Sequence, residues 1–202
     1  MWRVKLEGDP QTFADLMKRW QKPIQNLCVR MTGDLHKAED LTQAAFVKLY
    51  AARTGWEPES KFSTFLWRIA LNLCHDELRK RKRLGECSLE ELEEDSDIQL
   101  HGLPSAEPGP DAQIERREVA DEVRRALLKL ATHYREVVVL RHYEHLKFNE
   151  IGYVLGIPEG TAKSRMSEAL SQLNRLLKHL DETVEEKKPW NPKNQTPELL
   201  AL

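Results

Sequence analysis

The sequence predicts an all-α chain of two small helical domains joined by an acidic, flexible linker, on three observations. Apolar residues recur every three or four positions before residue 83 and again after residue 114, the spacing of a helix face. Between them, residues 84–113 carry nine Asp/Glu, no Lys or Arg, and prolines at 104, 108 and 110. Charge divides along the same lines: residues 1–83 hold 16 Lys/Arg against 10 Asp/Glu, and residues 114–180 hold 12 against 9. Two mildly basic blocks therefore flank an acidic connector, although the net charge of the 202 residues is only −2. Basic blocks point to a polyanionic partner.

In the first block Thr12 is expected to cap a helix carrying Phe13, Leu16 and Trp20. Pro23 should start a second helix, with Ile24, Leu27, Cys28 and Met31 on one face and Gly33 as its stop. A third runs from about His36 to Ala52 with Leu41, Ala45 and Leu49 in step. A loop, Arg53 to Ser60, precedes a fourth helix from about Ser63 to Arg83, apolar almost all round from Phe65 to Cys74 and then basic at Arg79, Lys80, Arg81, Lys82 and Arg83. Pro104, Pro108 and Pro110 with Gly102 and Gly109 exclude a continuous helix in the second half of the connector, and its acids repel one another and keep it extended.

The second block repeats the helical spacing at Val119, Val123, Leu127 and Leu130. Val137 to Leu140 is β-branched enough for a strand, but neighbours at helical spacing favour helix. Phe148 to Leu155, the tight Gly156-Ile157 link and a helix from about Pro158 to Leu180 follow. Ala162, Met166, Leu170, Leu173, Leu177 and Leu180 form the stripe of that last helix. The tail 181–202 holds three prolines and little pattern.

Several chemistries are excluded. No apolar run approaches the ~18 residues of a membrane span. The N-terminus leads into no signal segment, so the expectation is a cytoplasmic protein without membrane insertion. Cys28, Cys74 and Cys87 cannot form a disulfide scaffold. His142 and His145 lack a second ligand pair at zinc spacing, and no Walker loop, Rossmann fingerprint or nucleophile elbow is present. No enzyme activity, metal or cofactor is expected.

Binding signals remain. Residues 147–173 follow the helix-turn-helix plan, in which the first helix braces the second so that its N-terminal half enters the major groove. The exposed face would carry Thr161, Lys163, Ser164, Ser167 and Glu168. The same pattern also suits a plain αα-hairpin within a bundle. Trp56 and Trp67 beside the basic run suit stacking on single-stranded bases, although a solvated helix end explains part of that run. Residues 38–46 offer small side chains ringed by polar ones, a weak signal for packing against another protein's helix.

Three segments in this order, AEDLTQAAFVKLY, FSTFLWRIALNLCHDELRKRKR and REVVVLRHYEHLKFNEIGYVLGIPEGTAKSRMSEAL, resemble bacterial RNA polymerase sigma factors of the extracytoplasmic-function group. The likeness covers roughly residues 10–83 and 114–180. It implies a promoter-melting domain over 10–83, an acidic linker over 84–113 that threads a polymerase channel, and a domain over 114–180 that reads the minus-thirty-five element. It places Asp40, Leu41, Gln43 and Phe46 on the polymerase-binding helix. Trp56, Lys61, Trp67, Asn72, Asp76 and Arg79 would face the minus-ten element, and Thr161, Lys163, Ser164, Arg165, Ser167 and Glu168 the minus-thirty-five element. The implied partners are core RNA polymerase, through its clamp and flap regions, promoter DNA and an anti-sigma factor, and the implied context is stress-responsive transcription. Ala44 departs from an acid common in the family, Ala162 from a common Val, and Glu168 from a frequent base. A carboxylate at 168 repels phosphate but can accept from cytosine N4. The competing reading is an autonomous helix-turn-helix regulator, which would bind a two-fold symmetric site unaided.

Overall fold

The structure, a computed structural model, describes residues 10–53, 61–85 and 110–185, with side chains in the last segment over 118–178. It is helical throughout these residues: α1 Pro10–Thr32, α2 Leu35–Ala51, α3 Phe62–Leu84, α4 Pro110–Lys129, α5 Thr132–Val138, a π-helical turn Val139–Tyr143, α6 Phe148–Leu155 and α7 Glu159–Glu185. Helices α1, α2 and α3 pack together; α4, α5 and α6 pack against α7, and the π-helical turn against α5 and α6.

Two prolines behave differently from the sequence expectation. α1 is one helix with Pro23 inside it, not two. Proline costs ~3 kcal/mol in a helix interior by removing a backbone donor. Here one apolar stripe continues in phase across it, through Leu16 and Trp20 to Ile24, Leu27 and Met31, and burying both halves against the same neighbours outweighs the lost bond. α4 begins at Pro110, inside the stretch expected from sequence to be linker. The proline ring suits the first helical turn, where no intrahelical donor is needed.

The first domain closes through α2 and α3. Asp34 caps α2, accepting from the Lys37 amide at 2.9 Å, and binds Arg81 of α3 at 2.5 Å. Burial pushes the Asp34 carboxyl up, but the Lys37 amide and Arg81 outweigh it and hold it below its ordinary value. Arg81 therefore ties the end of α3 to the start of α2 instead of standing in solvent with its basic neighbours. Cys28 and Cys74 are free and buried. A hydrogen bond with Cys28, together with burial, pushes the Cys74 thiol well up, which makes it a core group rather than a nucleophile.

The two domains also meet. α1 contacts α4, α5 and the π-helical turn, and α3 contacts α6. Arg135 of α5 is at the centre of this junction, 8% exposed. Its guanidinium donates to the Leu127 carbonyl at 3.1 Å, to Leu130 at 3.0 Å, and to Leu128 and Met31. Those carbonyls lie at the C-terminal ends of α4 and α1, where the helix dipole is negative and the last carbonyls lack intrahelical donors. One planar fork thus serves two helix ends from two domains.

Candidate nucleic-acid interface

α2 presents Asp40, Gln43 and Val47 outward and Leu41, Ala45, Phe46 and Leu49 inward. Phe46 is 3% exposed and Leu41 is nearly as buried. Both side chains hold α2 against the core in this conformation. The outward face instead carries Val47, 69% exposed and the most exposed large apolar residue described. Sequence reasoning missed it, although it lies seven residues after Asp40 and four after Gln43, on one helical line.

α3 is two-faced. Trp67 is 3% exposed and its ring meets Trp20 edge-on at 5.6 Å, with Phe62 on the other side of Trp20. Trp67, expected at the minus-ten element, is buried in this conformation. The helix phase points it into an aromatic core, and stacking on a base would require leaving that core. Asn72, Asp76 and Arg79 lie on the outward face, and Arg68, four residues before Asn72, extends it. Asp76 and Arg79 pair at 2.8 Å on the surface. Lys61 stands exposed just before α3, and Trp56 lies outside the described residues.

The helix-turn-helix is built by close backbone approach. Gly156 ends α6 with φ +66°, a left-handed turn that favours glycine. At Gly152 an added Cβ would stand 2.7 Å from the Ile157 carbonyl oxygen, so only glycine lets the turn pack on α6. Glu150 caps α6 by accepting from the Lys147 amide at 2.8 Å. α7 buries Ala162, Met166, Ala169 and Leu173. Ala162 fills a fully buried position, so a small residue suits the packing there.

Lys163, Ser164, Ser167 and Glu168 are exposed on α7, and Thr161 is half-buried. Lys163 pairs with Glu159 at 2.6 Å, the Ser164 hydroxyl donates to the Thr161 carbonyl at 3.0 Å, and Glu168 accepts from Gln172 at 3.1 Å. All are local surface contacts that a DNA strand can displace. Arg165 differs from this group. It turns back to Glu136 of α5 at 3.2 Å.

Glu136 is the second residue that sequence reading missed. It is buried, and it also meets His75 of α3 at 2.7 Å. A lone acid beside an apolar run was its only signal. Lys61 reaches across to Glu150 of α6 at 2.6 Å. Arg30 of α1 lies 3.6 Å from Glu144 and stacks on the Tyr143 ring at 4.0 Å. Burial pushes the Glu144 carboxyl up to about 7, opposed only in part by Arg30. His142 Nε2 is buried with no hydrogen-bond partner, and burial, Arg141 and His145 all lower its basicity. Among the described residues no group of three or more His, Cys, Asp and Glu is arranged to hold a metal ion, and no helix is long and apolar enough to cross a membrane.

A helix-turn-helix with an exposed polar face, preceded by a helical domain with a second polar face, fits the class of helix-turn-helix DNA-binding proteins. Two family models match the chain, Sigma-70 region 2 over residues 16–84 and Sigma-70 region 4 over 120–173. It is 35% identical to the ECF RNA polymerase sigma factor SigW of Bacillus subtilis over 86% of this chain and 93% of that protein. It is 31% identical to the RNA polymerase sigma-H factor of Pseudomonas aeruginosa over 86% and 90%. The fold is similar to that of CnrH in complex with the cytosolic domain of CnrY, with a TM-score of 0.61 and 23% identity over 86% of this chain and 92% of that one. It is likewise similar to RpoE in complex with the anti-sigma factor NepR from Bartonella quintana, with a TM-score of 0.60 and 22% identity over 83% and 98%. The chain belongs to the ECF RNA polymerase sigma factors. It is a non-enzymatic polymerase subunit that directs RNA polymerase to promoters for transcription initiation, in a family that is typically stress-responsive.

Proposed function

We propose that the two domains divide promoter recognition between them. Residues 10–83 bind the polymerase clamp and hold the melted minus-ten strand, residues 114–180 bind the flap and read the minus-thirty-five element, and 84–113 connect them. Two separate outward polar faces, one on α3 and one on α7, carry this reading. On the clamp side Asp40, Gln43 and Val47 form the contact, and Leu41 and Phe46 act from beneath by fixing the helix. Lys61, Asn72, Asp76 and Arg79 meet the minus-ten element together with Arg68, and Trp56, a few residues before α3 in the sequence, serves as the base-stacking residue.

Thr161, Lys163, Ser164, Ser167 and Glu168 read the upstream element. Lys163 reaches guanine O6 or N7, and the Ser and Thr hydroxyls reach phosphates or bases. Arg165 joins them once it leaves Glu136. Melting requires no covalent chemistry. Unstacking costs a few kcal/mol per base, and capture of the displaced base offsets it. A protein of this build is held in check by an anti-sigma factor, as two structural neighbours are solved in such complexes or with a cytosolic partner domain.

Footprinting of the complex with core polymerase on a two-part promoter tests the division. Lys163→Ala should erase protection over the upstream element and spare the downstream one, and Asn72→Ala with Arg79→Ala should do the reverse. Simultaneous loss of both in either variant contradicts it.

A further inference from the structure

We propose that Glu159 is a specificity-determining residue of upstream recognition: it positions the Lys163 ammonium for a guanine edge and withholds it from the phosphates. The proposal rests on α7 being the helix that reads the minus-thirty-five element. Lys163 Nζ lies 2.6 Å from Glu159 Oε1, one turn back along the same helix. It also stands 6.0 Å from the centre of the Phe148 ring, at the start of α6. That ring is met at 5.0 Å by a second cation, Arg141, which is itself anchored by donating to the Leu146 carbonyl at 2.9 Å. The lysine is thus held at two points, by one residue from each helix of the motif. Its direction follows helix geometry, because long side chains lean toward the N-terminus of their helix. In α7 that is the end expected to enter the groove.

The charge of this face explains what a holder achieves. Residues 159–168 carry two acids, Glu159 and Glu168, and two bases, Lys163 and Arg165, so they have no net charge. Arg165 turns to Glu136, which leaves Lys163 as the exposed cation of this stretch. A free lysine is a flexible point charge that settles on a nearby phosphate, and such a contact gives affinity without sequence information. Phosphate and Glu159 are rivals for the ammonium. A guanine edge is not a rival, because the ammonium has three donors and O6 with N7 take two. A lysine that reads guanine therefore keeps its bond to Glu159, while the carboxylate beside it repels the flanking phosphates. The stem is also ordered before DNA arrives, so less rotamer freedom is lost on binding.

Promoter binding by the full-length chain with core polymerase tests this, on a two-part promoter whose upstream element carries each single base-pair change in turn. The position read by Lys163 is the one whose discrimination Lys163→Ala erases. Glu159→Gln should lower discrimination there by roughly three- to ten-fold. It should leave the other positions as they were and steepen the salt dependence by about one phosphate contact. Glu159→Asp separates positioning from a helix-end effect. Its carboxylate complements the positive end of α7 as glutamate does, but it is one methylene too short to hold Lys163, so it should behave like Glu159→Gln. In the Lys163→Ala background, Glu159→Gln should change nothing further at that position. The proposal is overturned by an aspartate variant that discriminates like the parent, by an equal loss at every upstream position, or by an effect of Glu159→Gln that survives Lys163→Ala. Full upstream discrimination in Lys163→Ala refutes the reading of α7 itself, whereas its loss beside a parent-like Glu159→Gln refutes only the positioning role.

Discussion

Replacing Arg135 by Met keeps most of the side chain's volume and removes its five donors. The guanidinium serves four carbonyls, three at the end of α4 and one at the end of α1. Hydrogen bonds from a charged donor contribute a net ~1.5–3 kcal/mol each, so four independent ones would sum to ~6–12 kcal/mol. Burial here is deep enough that desolvation lowers the arginine's pKa to about 10, which places the total toward the low end of that range. Two of the bonds share one nitrogen and add less than independently. The expected net loss for R135M is therefore about 3–5 kcal/mol. Arg135→Lys should lose almost as much, because a point charge on a flexible stem cannot reproduce a fork that reaches two helix ends. Urea denaturation of the full-length chain followed by circular dichroism, with a slope unchanged from the parent, reads the difference directly. A loss under about 1 kcal/mol for R135M would mean that the carbonyls find other donors, and the account of the junction would be wrong.

Glu144 makes the stability of the fold sensitive to pH. Burial raises its folded pKa to about 7, so its contribution is complete below the ordinary carboxylate value and is lost as pH rises through about 7, by up to about 3 kcal/mol. The charged group facing it is Arg30, which itself lies beside Tyr143 and Arg124. Glu144→Gln should flatten the stability profile between pH 4.5 and 7, and a parent-like slope in the variant would assign the effect elsewhere. Gly152→Ala forces a Cβ to within 2.7 Å of a backbone carbonyl and should cost ~1–3 kcal/mol with loss of upstream recognition; wild-type thermal stability would contradict the tight turn. Asp40→Ala with Val47→Glu should weaken co-purification with core polymerase at least ten-fold, roughly 1.4 kcal/mol or more, while the circular dichroism spectrum stays native. Lys163→Ala should cost ~1–3 kcal/mol on the preferred upstream sequence and less on others, whereas equal loss on all would show contact with phosphate alone.

Helix phase made much of this chain legible in advance. The stripe of Leu41, Ala45 and Leu49 is inward as its spacing requires, and Gly156 sits at the turn; in the last helix Ala162, Met166 and Leu173 are inward, but Leu170 is 38% exposed and its neighbour Ala169 is buried instead. What misled was local chemistry without its tertiary setting. Pro23 reads as a boundary, but nothing within a few residues reveals that both halves of α1 share one stripe. Trp67 and Phe46 have chemistry suited to a partner, and only the assembled core shows that Trp20 and the neighbouring helices already claim them. Arg81 sits in a run of five basic residues, and its partner Asp34 lies 47 positions away. Glu136 and Arg135 were invisible as a junction for the same reason: every group that gives them meaning comes from another helix.

Promoter binding with and without core polymerase bears most directly on the central claim, that two DNA-reading heads become competent only when polymerase holds them apart. With fluorescent duplex carrying both elements, anisotropy should stay flat as the isolated chain is added and rise steeply once core is present, on an asymmetric site whose two parts cannot be exchanged. Tight binding by the isolated chain to a two-fold symmetric site, unaffected by core, would contradict the account.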